Sequence, residues 1–375
     1  MKIIWLSHKD LLNPSSGGAE RTVHEIGKRL VFRGHEVTQV SIMWKISAGT
    51  EVKDGVSILR YSSAAAAHLA ALRLVRDADS GGVVIDDLAH AAPWVSSLFT
   101  HAHVIPFFRH LHSRTLLGQT SLPIALGLGL VERAYPVLYR REVFVTESQS
   151  SLEDLVALGV SRRRIVSIPP GVDSELFSPG NRATVPRIIY FAGMRRYKRP
   201  QHVIEVASRL RSRLDDFEVL IVGEGPMVFT LKSMIKKFSL QNYCKMLGRL
   251  DEMELAQLLR TCWVNLHCSL SEGWGYSVTE AAACGVPTAA YSVPGIRDSV
   301  SNGVSGILVR NNSIKDLTDA VEILVRRSRE FSEPCRAWAL PFSWERAAAE
   351  WEKLCLTIAS PKDGRGWTHG GTNAA

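Results

Sequence analysis

An α/β fold of two Rossmann-like domains, each a parallel sheet covered by helices on both faces, is predicted by three features of the sequence. At 375 residues the chain exceeds what one ordinary core accommodates and suits two. Short apolar runs alternate with amphipathic stretches of helical length through most of the chain, the order expected of βαβ units. Midway, Ile165-Val-Ser-Ile-Pro-Pro-Gly-Val-Asp173 and Phe177-Ser-Pro-Gly180 concentrate turn formers where the chain would pass from one domain to the other. The predicted division is residues 1–168, residues 169–341, a last helix over 342–360 placed to cross back to the first domain, and a disordered tail over 361–375.

In the first domain Ile3 to Ser7 reads as a strand, Ala19 to Phe32 as a helix ended by Gly34, and Glu36 to Ile42 as the next strand. Val83 to Asp86, Val104 to Phe108 and Glu142 to Thr146 continue the pattern. Between the last two, Leu116 to Tyr139 is strongly apolar but interrupted by Gln119, Pro123, Glu132 and Pro136. A membrane-spanning helix needs about 20 apolar residues, so a buried helix pair is expected, with an interfacial helix as the alternative. Strands of the second domain are expected at Arg187 to Ala192, Glu218 to Val222, Tyr243 to Leu247, Trp263 to His267, Thr288 to Tyr291 and Gly306 to Val309. Two such sheets joined by a hinge leave a cleft at the C-terminal ends of their strands, where open α/β folds bind ligands.

Hydrophobic residues make up 46% of the chain and charged ones 22%, proportions of a soluble globular protein. Met1 to Leu6 runs directly into a strand and is too short for the apolar core of a signal peptide, so a cytoplasmic protein is expected. All six cysteines lie in the second half with no C-x-x-C pair and no zinc-type histidine spacing, which predicts reduced, structural thiols and no metal. The net charge of +8 favours an anionic partner, either a nucleotide or a membrane face, and no nucleic-acid motif accompanies the basic residues.

The richest segment is Glu272-Gly-Trp-Gly-Tyr-Ser-Val-Thr-Glu280, two carboxylates around a glycine turn between an apolar strand, Cys262 to His267, and a short helix. Ser277 reads as an N-cap and Glu280, three residues on, completes a capping box; Gly285 and Pro287 end the helix. A capped helix needs nothing more, and many carry no ligand. Gly273 and Gly275 on either side of Trp274 add a reason to expect one, because a ligand lying against backbone requires glycine where a mere cap does not. Amides and the positive end of a helix dipole suit a phosphate or a sugar hydroxyl there.

Three further loops follow strands. Asn13-Pro-Ser-Ser-Gly-Gly-Ala-Glu20 is a glycine turn opening a helix, matching neither a dinucleotide fingerprint nor a P-loop. Arg109-His-Leu-His-Ser-Arg114 places two imidazoles at a strand end, and Phe191-Ala-Gly-Met-Arg-Arg-Tyr-Lys-Arg199 packs four cations after another. Solvated charge usually explains such a run; opening toward a cleft, it would also neutralise a diphosphate.

These motifs, with Val222-Gly-Glu-Gly-Pro226 and Ser167-Ile-Pro-Pro-Gly-Val-Asp173, occur in an order that resembles the retaining glycosyltransferases of the GT-B fold, the large family 4 or group 1 set, from Met1 to about Leu356. The resemblance implies that Glu280 binds the ribose hydroxyls of a UDP- or GDP-sugar and that Glu272 lies at the donor sugar. Backbone around Gly273, Trp274, Gly275 and Tyr276 would hold that sugar, and the amides near Val278 and Thr279 the diphosphate. Gly17 and Gly18 would approach the diphosphate from the other domain, Arg195 and Lys198 would complete its neutralisation, and the base would sit near Gly223 and Arg249. His110 fits the histidine that meets the donor sugar at the reaction centre, with His112 as the other register. The family more often carries arginine directly after the glycine of the cationic loop; here Met194 stands in its place, leaving Arg195 or Arg196 to serve. No cofactor is implied. The implied reaction is sugar transfer with retention to a hydroxyl acceptor (a glycan, a lipid-linked or a small molecule), without a metal and with peripheral contact to the inner membrane face. A sugar-nucleotide isomerase and a silent nucleotide-sugar-binding subunit are the alternatives.

Overall fold

The computed structural model describes residues 1–44, 49–78, 81–89, 93–116 and 121–360, so the tail predicted at 361–375 lies outside the described residues. The first half carries β1 (Lys2–Leu6), α1 (Gly18–Phe32), β2 (Glu36–Ile42), β3 (Thr50–Lys53), β4 (Val56–Tyr61), α2 (Ala64–Arg76), β5 (Val83–Asp87), β6 (His103–Phe108), α3 (Ser113–Leu116), α4 (Leu122–Leu138), β7 (Phe144–Thr146), α5 (Gln149–Ala157) and β8 (Ile165–Ser167). Its sheet runs β3-β4-β2-β1-β5-β6-β7-β8, parallel except for β3 against β4. Ile3, Ile4, Trp5 and Leu6 are all buried, as a central parallel strand with helices on both faces requires.

The second half carries β9 (Arg187–Phe191), α6 (Gln201–Leu210), β10 (Glu218–Val222), α7 (Val228–Lys237), β11 (Cys244–Gly248), α8 (Glu252–Leu259), β12 (Val264–His267), α9 (Tyr276–Ala283), β13 (Thr288–Tyr291), α10 (Ile296–Ser299), β14 (Gly306–Val309), α11 (Ile314–Ala339) and α12 (Trp344–Ala359). Its sheet is wholly parallel, in the order β11-β10-β9-β12-β13-β14. The GT-B architecture predicted from the sequence is the one observed.

The chain passes between the halves twice, side by side. The Val172 amide donates to the Phe342 carbonyl at 2.8 Å, and a side chain at Gly171 would overlap the backbone of Trp344, so only glycine lets the crossings touch. The second crossing leads into α12, which packs on the first half. Trp351 lies 5.2 Å from Trp5 and 5.0 Å from Phe107, ring centre to ring centre, with no solvent exposure. Arg29 to Glu345 (2.6 Å) and Arg33 to Glu352 (3.0 Å) tie α12 to α1 along its edge.

One expectation fails. Within the segment expected to be a buried helix pair, α4 is not buried: Leu122, Ile124, Leu126, Leu130 and Val137 are 55–72% exposed. The helix attaches by its other face, where Ala125, Glu132 and Tyr135 are buried and the Glu132 carboxylate accepts from the His112 amide at 2.5 Å. Apolar composition alone cannot tell a core helix from one whose apolar side looks outward. Among the described residues no helix is long and apolar enough to cross a membrane. The six cysteines are free and buried, and burial pushes thiols such as Cys268 and Cys355 up to about 12.

Truncating Trp351 should leave a cavity between α12 and the first sheet. Trp351→Ala is expected to cost about 3–5 kcal/mol in denaturant unfolding followed by the fluorescence of the remaining tryptophans; a loss under about 1 kcal/mol would mean that α12 is docked without supporting the core.

Candidate active site

The C-terminal ends of both sheets face one crevice, and the contacts across it are short. Gly273, in the loop after β12, lies so close to the first half that an added Cβ would sit 3.0 Å from Glu147 Oε2 and 3.1 Å from the Arg109 carbonyl. At Gly18, the start of α1, an added Cβ would come 2.5 Å from the Tyr276 ring. Arg249 Nη1 donates to the Pro14 carbonyl at 2.5 Å. The loops after β1, β6, β11 and β12 therefore meet, although they lie far apart in sequence.

Each carboxylate of the Glu272–Glu280 segment is held by a cation. Lys198 Nζ bonds Glu272 Oε1 at 2.5 Å, with His267 Nε2 3.8 Å away. Burial would raise Glu272, but Lys198 and then His267 bring it below the ordinary carboxylate range; burial opposes the charge of Lys198 and Glu272 holds its pKa up. Burial pushes His267 down to about 4, so it is a neutral imidazole at neutral pH. Its Nδ1 and the nearby Ser271 hydroxyl are buried without a hydrogen-bond partner among the described residues. Glu280 Oε1 accepts from Arg21 Nη1 of α1 at 2.5 Å, and Glu252 lies 3.3 Å from the same guanidinium. Burial nevertheless pushes Glu280 up to about 7, and the Glu252 charge adds to the rise against the opposing pull of Arg21.

The start of α9 differs from the capping box expected at Ser277. The helix begins at Tyr276, capped by Gly275 at φ 111°, and Ser277 lies within the first turn. Gly275 takes this left-handed conformation against Ile296, where a Cβ would come 2.6 Å from Ile296 Cδ1. Glu280 is thereby free of capping and reaches Arg21.

The other expected residues fall into distinct positions. The Gly17 amide donates to Glu20 Oε2 at 2.7 Å, and the Val278 amide to the Gly275 carbonyl at 2.9 Å, so both are engaged within their own helix starts. Thr279 Oγ1 bonds the Tyr276 carbonyl at 3.1 Å. Trp274 turns away from the crevice onto Phe342, 5.0 Å between ring centres, leaving only its backbone toward the loop. Met194, in the place of the family's arginine, is fully buried, while Arg195 is exposed beside Lys198. Gly223, at φ 128°, donates to the Gly248 carbonyl at 2.6 Å, next to Arg249. His110 and His112 stack at 4.5 Å with 16° between their planes. His112 bonds the Ala89 carbonyl through Nε2, and His110 follows directly on Arg109, whose carbonyl lies close to Gly273.

Four residues escaped the sequence reading. Arg21 follows the glycine turn by one helical step. Arg109 is buried between Asp87 (2.8 Å) and Glu147 (2.7 Å) and stacks over Phe107 at 4.0 Å. Burial works against that charge, but Asp87 and Glu147 hold it protonated above the usual arginine value. Glu147 stands directly after β7 and His267 is the last residue of β12, so a strand end is the one signal available for them. Among the described residues no three His, Cys, Asp or Glu side chains are grouped to hold a metal ion.

Solved structures share this two-domain arrangement. Sucrose-phosphate synthase from Thermosynechococcus elongatus superposes with a TM-score of 0.79 at 18% identity, over 95% of this chain and 98% of that one. Anabaena HepE in complex with UDP and glucose gives 0.76 at 16% identity, over 95% and 100%. Fold and crevice thus define a GT-B glycosyltransferase scaffold. Residues 16–176 match the sequence model of Glycosyltransferase Family 4 and residues 172–338 that of Glycosyl transferases group 1. The chain belongs to the group 1, family 4 glycosyltransferases. A D-inositol 3-phosphate glycosyltransferase of Paenarthrobacter aurescens (strain TC1) is 31% identical over 55% of this chain. The chain spans about half the length of that curated relative, 55%.

Because the folded value for Glu280 lies above the unfolded one, the folded form holds the proton more tightly. The stability this contributes is complete below 4.5 and is lost as pH rises through about 7. Glu280→Gln removes the titration, so the melting temperature of the variant relative to the parent should climb with pH across that window. Parallel melting curves would place the Glu280 titration elsewhere.

Proposed function

We propose that this protein transfers a sugar from a nucleoside-diphosphate sugar to a hydroxyl acceptor, with retention at the anomeric carbon and without a metal. The observation that carries the reading is the convergence of the two carboxylates, Glu272 and Glu280, with Lys198, Arg21 and the His110 loop in one crevice. Glu280 is the partner of the ribose hydroxyls; Glu272, His267 Nδ1 and Ser271 Oγ are oriented polar groups for the donor sugar. Lys198, Arg195 and Arg21 supply positive charge to the departing diphosphate, which α9 meets with the positive end of its dipole. The base lies toward Gly223 and Arg249, and Gly17 and Gly18 close the site from α1. In this reading the acceptor attacks from the face of the leaving phosphate, which takes its proton, while His110 lies at the sugar. HepE was solved with UDP and glucose, which supports UDP-glucose as the first donor to try. The activity for which the P. aurescens relative is named makes D-inositol 3-phosphate the first acceptor to try.

A peripheral membrane role belongs to the same reading. The exposed apolar stripe of α4 carries Arg133 within it and exposed Arg140 and Arg141 just beyond it, which suits an anionic lipid surface at the cytoplasmic face.

Thermal-shift screening of UDP- and GDP-sugars, followed by nucleotide release with and without acceptor, tests the reading. His110→Ala should lower kcat by about 100-fold while changing donor affinity by less than about 3-fold. Equal turnover in parent and variant removes His110 from the reaction centre, and an epimerised donor as sole product favours an isomerase. For the membrane role, the parent should sediment with vesicles containing phosphatidylglycerol, and a variant with Leu126→Ser and Leu130→Ser should remain in the supernatant. Equal sedimentation of the two removes α4 from membrane contact.

A further inference from the structure

Tyr276 is the first residue of α9 and crosses the crevice to end inside the first half. Its ring rests on Gly18, where any side chain would occupy the same space. Its hydroxyl bonds the Thr22 hydroxyl of α1 and donates to Glu147 Oε1 at 2.5 Å. Glu147 is in turn paired with Arg109 at 2.7 Å, and Ser151 Oγ donates to the Arg109 carbonyl at 2.5 Å. The residue after Arg109 is His110. One side chain from the second half is thus bound by a socket whose far wall carries the loop of the reaction centre.

We infer that Tyr276 is a positioning residue, its phenol fastening the two halves in the arrangement that sets the His110 loop against the Gly273 loop; this rests on the transferase reading for its effect on turnover. Several observations support the role. Burial and the neighbouring Glu147 carboxylate hold the phenol well above its ordinary pKa, so it remains a neutral donor. Glu147 keeps Arg109 as a partner whether or not the tyrosine is present, so the socket survives opening and can be refilled. Gly18 gives the ring its floor, a use of that glycine distinct from approach to a phosphate. The same stretch of backbone, Gly273 to Tyr276, touches both the socket and the site proposed for the donor sugar, so a shift of the latch moves the donor loop with it. Precise placement of reacting groups is where small displacements carry large rate penalties.

Tyr276→Phe keeps the ring on Gly18 and removes only the hydroxyl. It should lower kcat by about 10-fold or more, the size of a lost hydrogen bond to a charged acceptor, with donor KM within about 3-fold of the parent, and the loss should persist at temperatures well below the melting transition. Thr22→Val, which leaves α9 untouched, should lower kcat in the same direction and add little to Tyr276→Phe in the double variant. Small-angle scattering of the substrate-free proteins gives a readout independent of turnover: the Phe variant should show a larger radius of gyration. Parental kcat in the Phe variant overturns the role, as does a parental scattering profile. A loss of kcat that tracks a lowered melting temperature and recovers on cooling also overturns it, because that is stabilisation without positioning. If the parent transfers no sugar from any donor, the transferase reading fails while scattering still decides whether Tyr276 holds the halves together.

Discussion

The guanidinium of Arg109, buried between Asp87 and Glu147, is the interaction on which the crevice depends. A charge out of water is costly unless its donors are met, and here two carboxylates, the Ala19 carbonyl and the Phe107 ring meet them. The consequence is geometric. Ends of β5, β6 and β7 and the first turn of α1 are drawn to one point, and Glu147 is held in the pose that receives Tyr276. Removing Arg109 alone would leave two buried carboxylates without their cation.

Around this fixed point the charges of the site are arranged in pairs. Arg21 with Glu280 and Lys198 with Glu272 are ion pairs at the crevice whose cations are largely out of water; under the proposed function a diphosphate would take the place of a carboxylate beside each cation. Releasing Glu280 from Arg21 also releases an acceptor for hydroxyl groups.

How far the sequence revealed this depended on distance along the chain. The Glu272–Glu280 segment was legible because nine consecutive residues carry it, and the alternation of strands and helices exposed both sheets. The β3–β4 hairpin was missed, although Asp54-Gly55 at its tip is a turn signal, both residues left-handed at φ 49° and 81°. The cap of α9 was misplaced because Ser277 and Glu280 satisfy a local pattern, whereas the deciding neighbour of Gly275 is Ile296. The Arg109 network was invisible for a related reason: its members stand at 87, 109, 147 and 276, and nothing near any one of them announces the others. The outward face of α4 was hidden because hydrophobicity records what a side chain prefers, not what lies beside it.

The return of α12 to the first half has a consequence for biogenesis. Trp351 sits between Trp5 and Phe107 in a core that, apart from α12, comes from early residues. On the ribosome that core stays open until α12 has emerged, by which time β9 to β14 of the later half have all been made. The unit made first is completed last, and nascent chains stalled before α12 would present an unfinished apolar surface to chaperones.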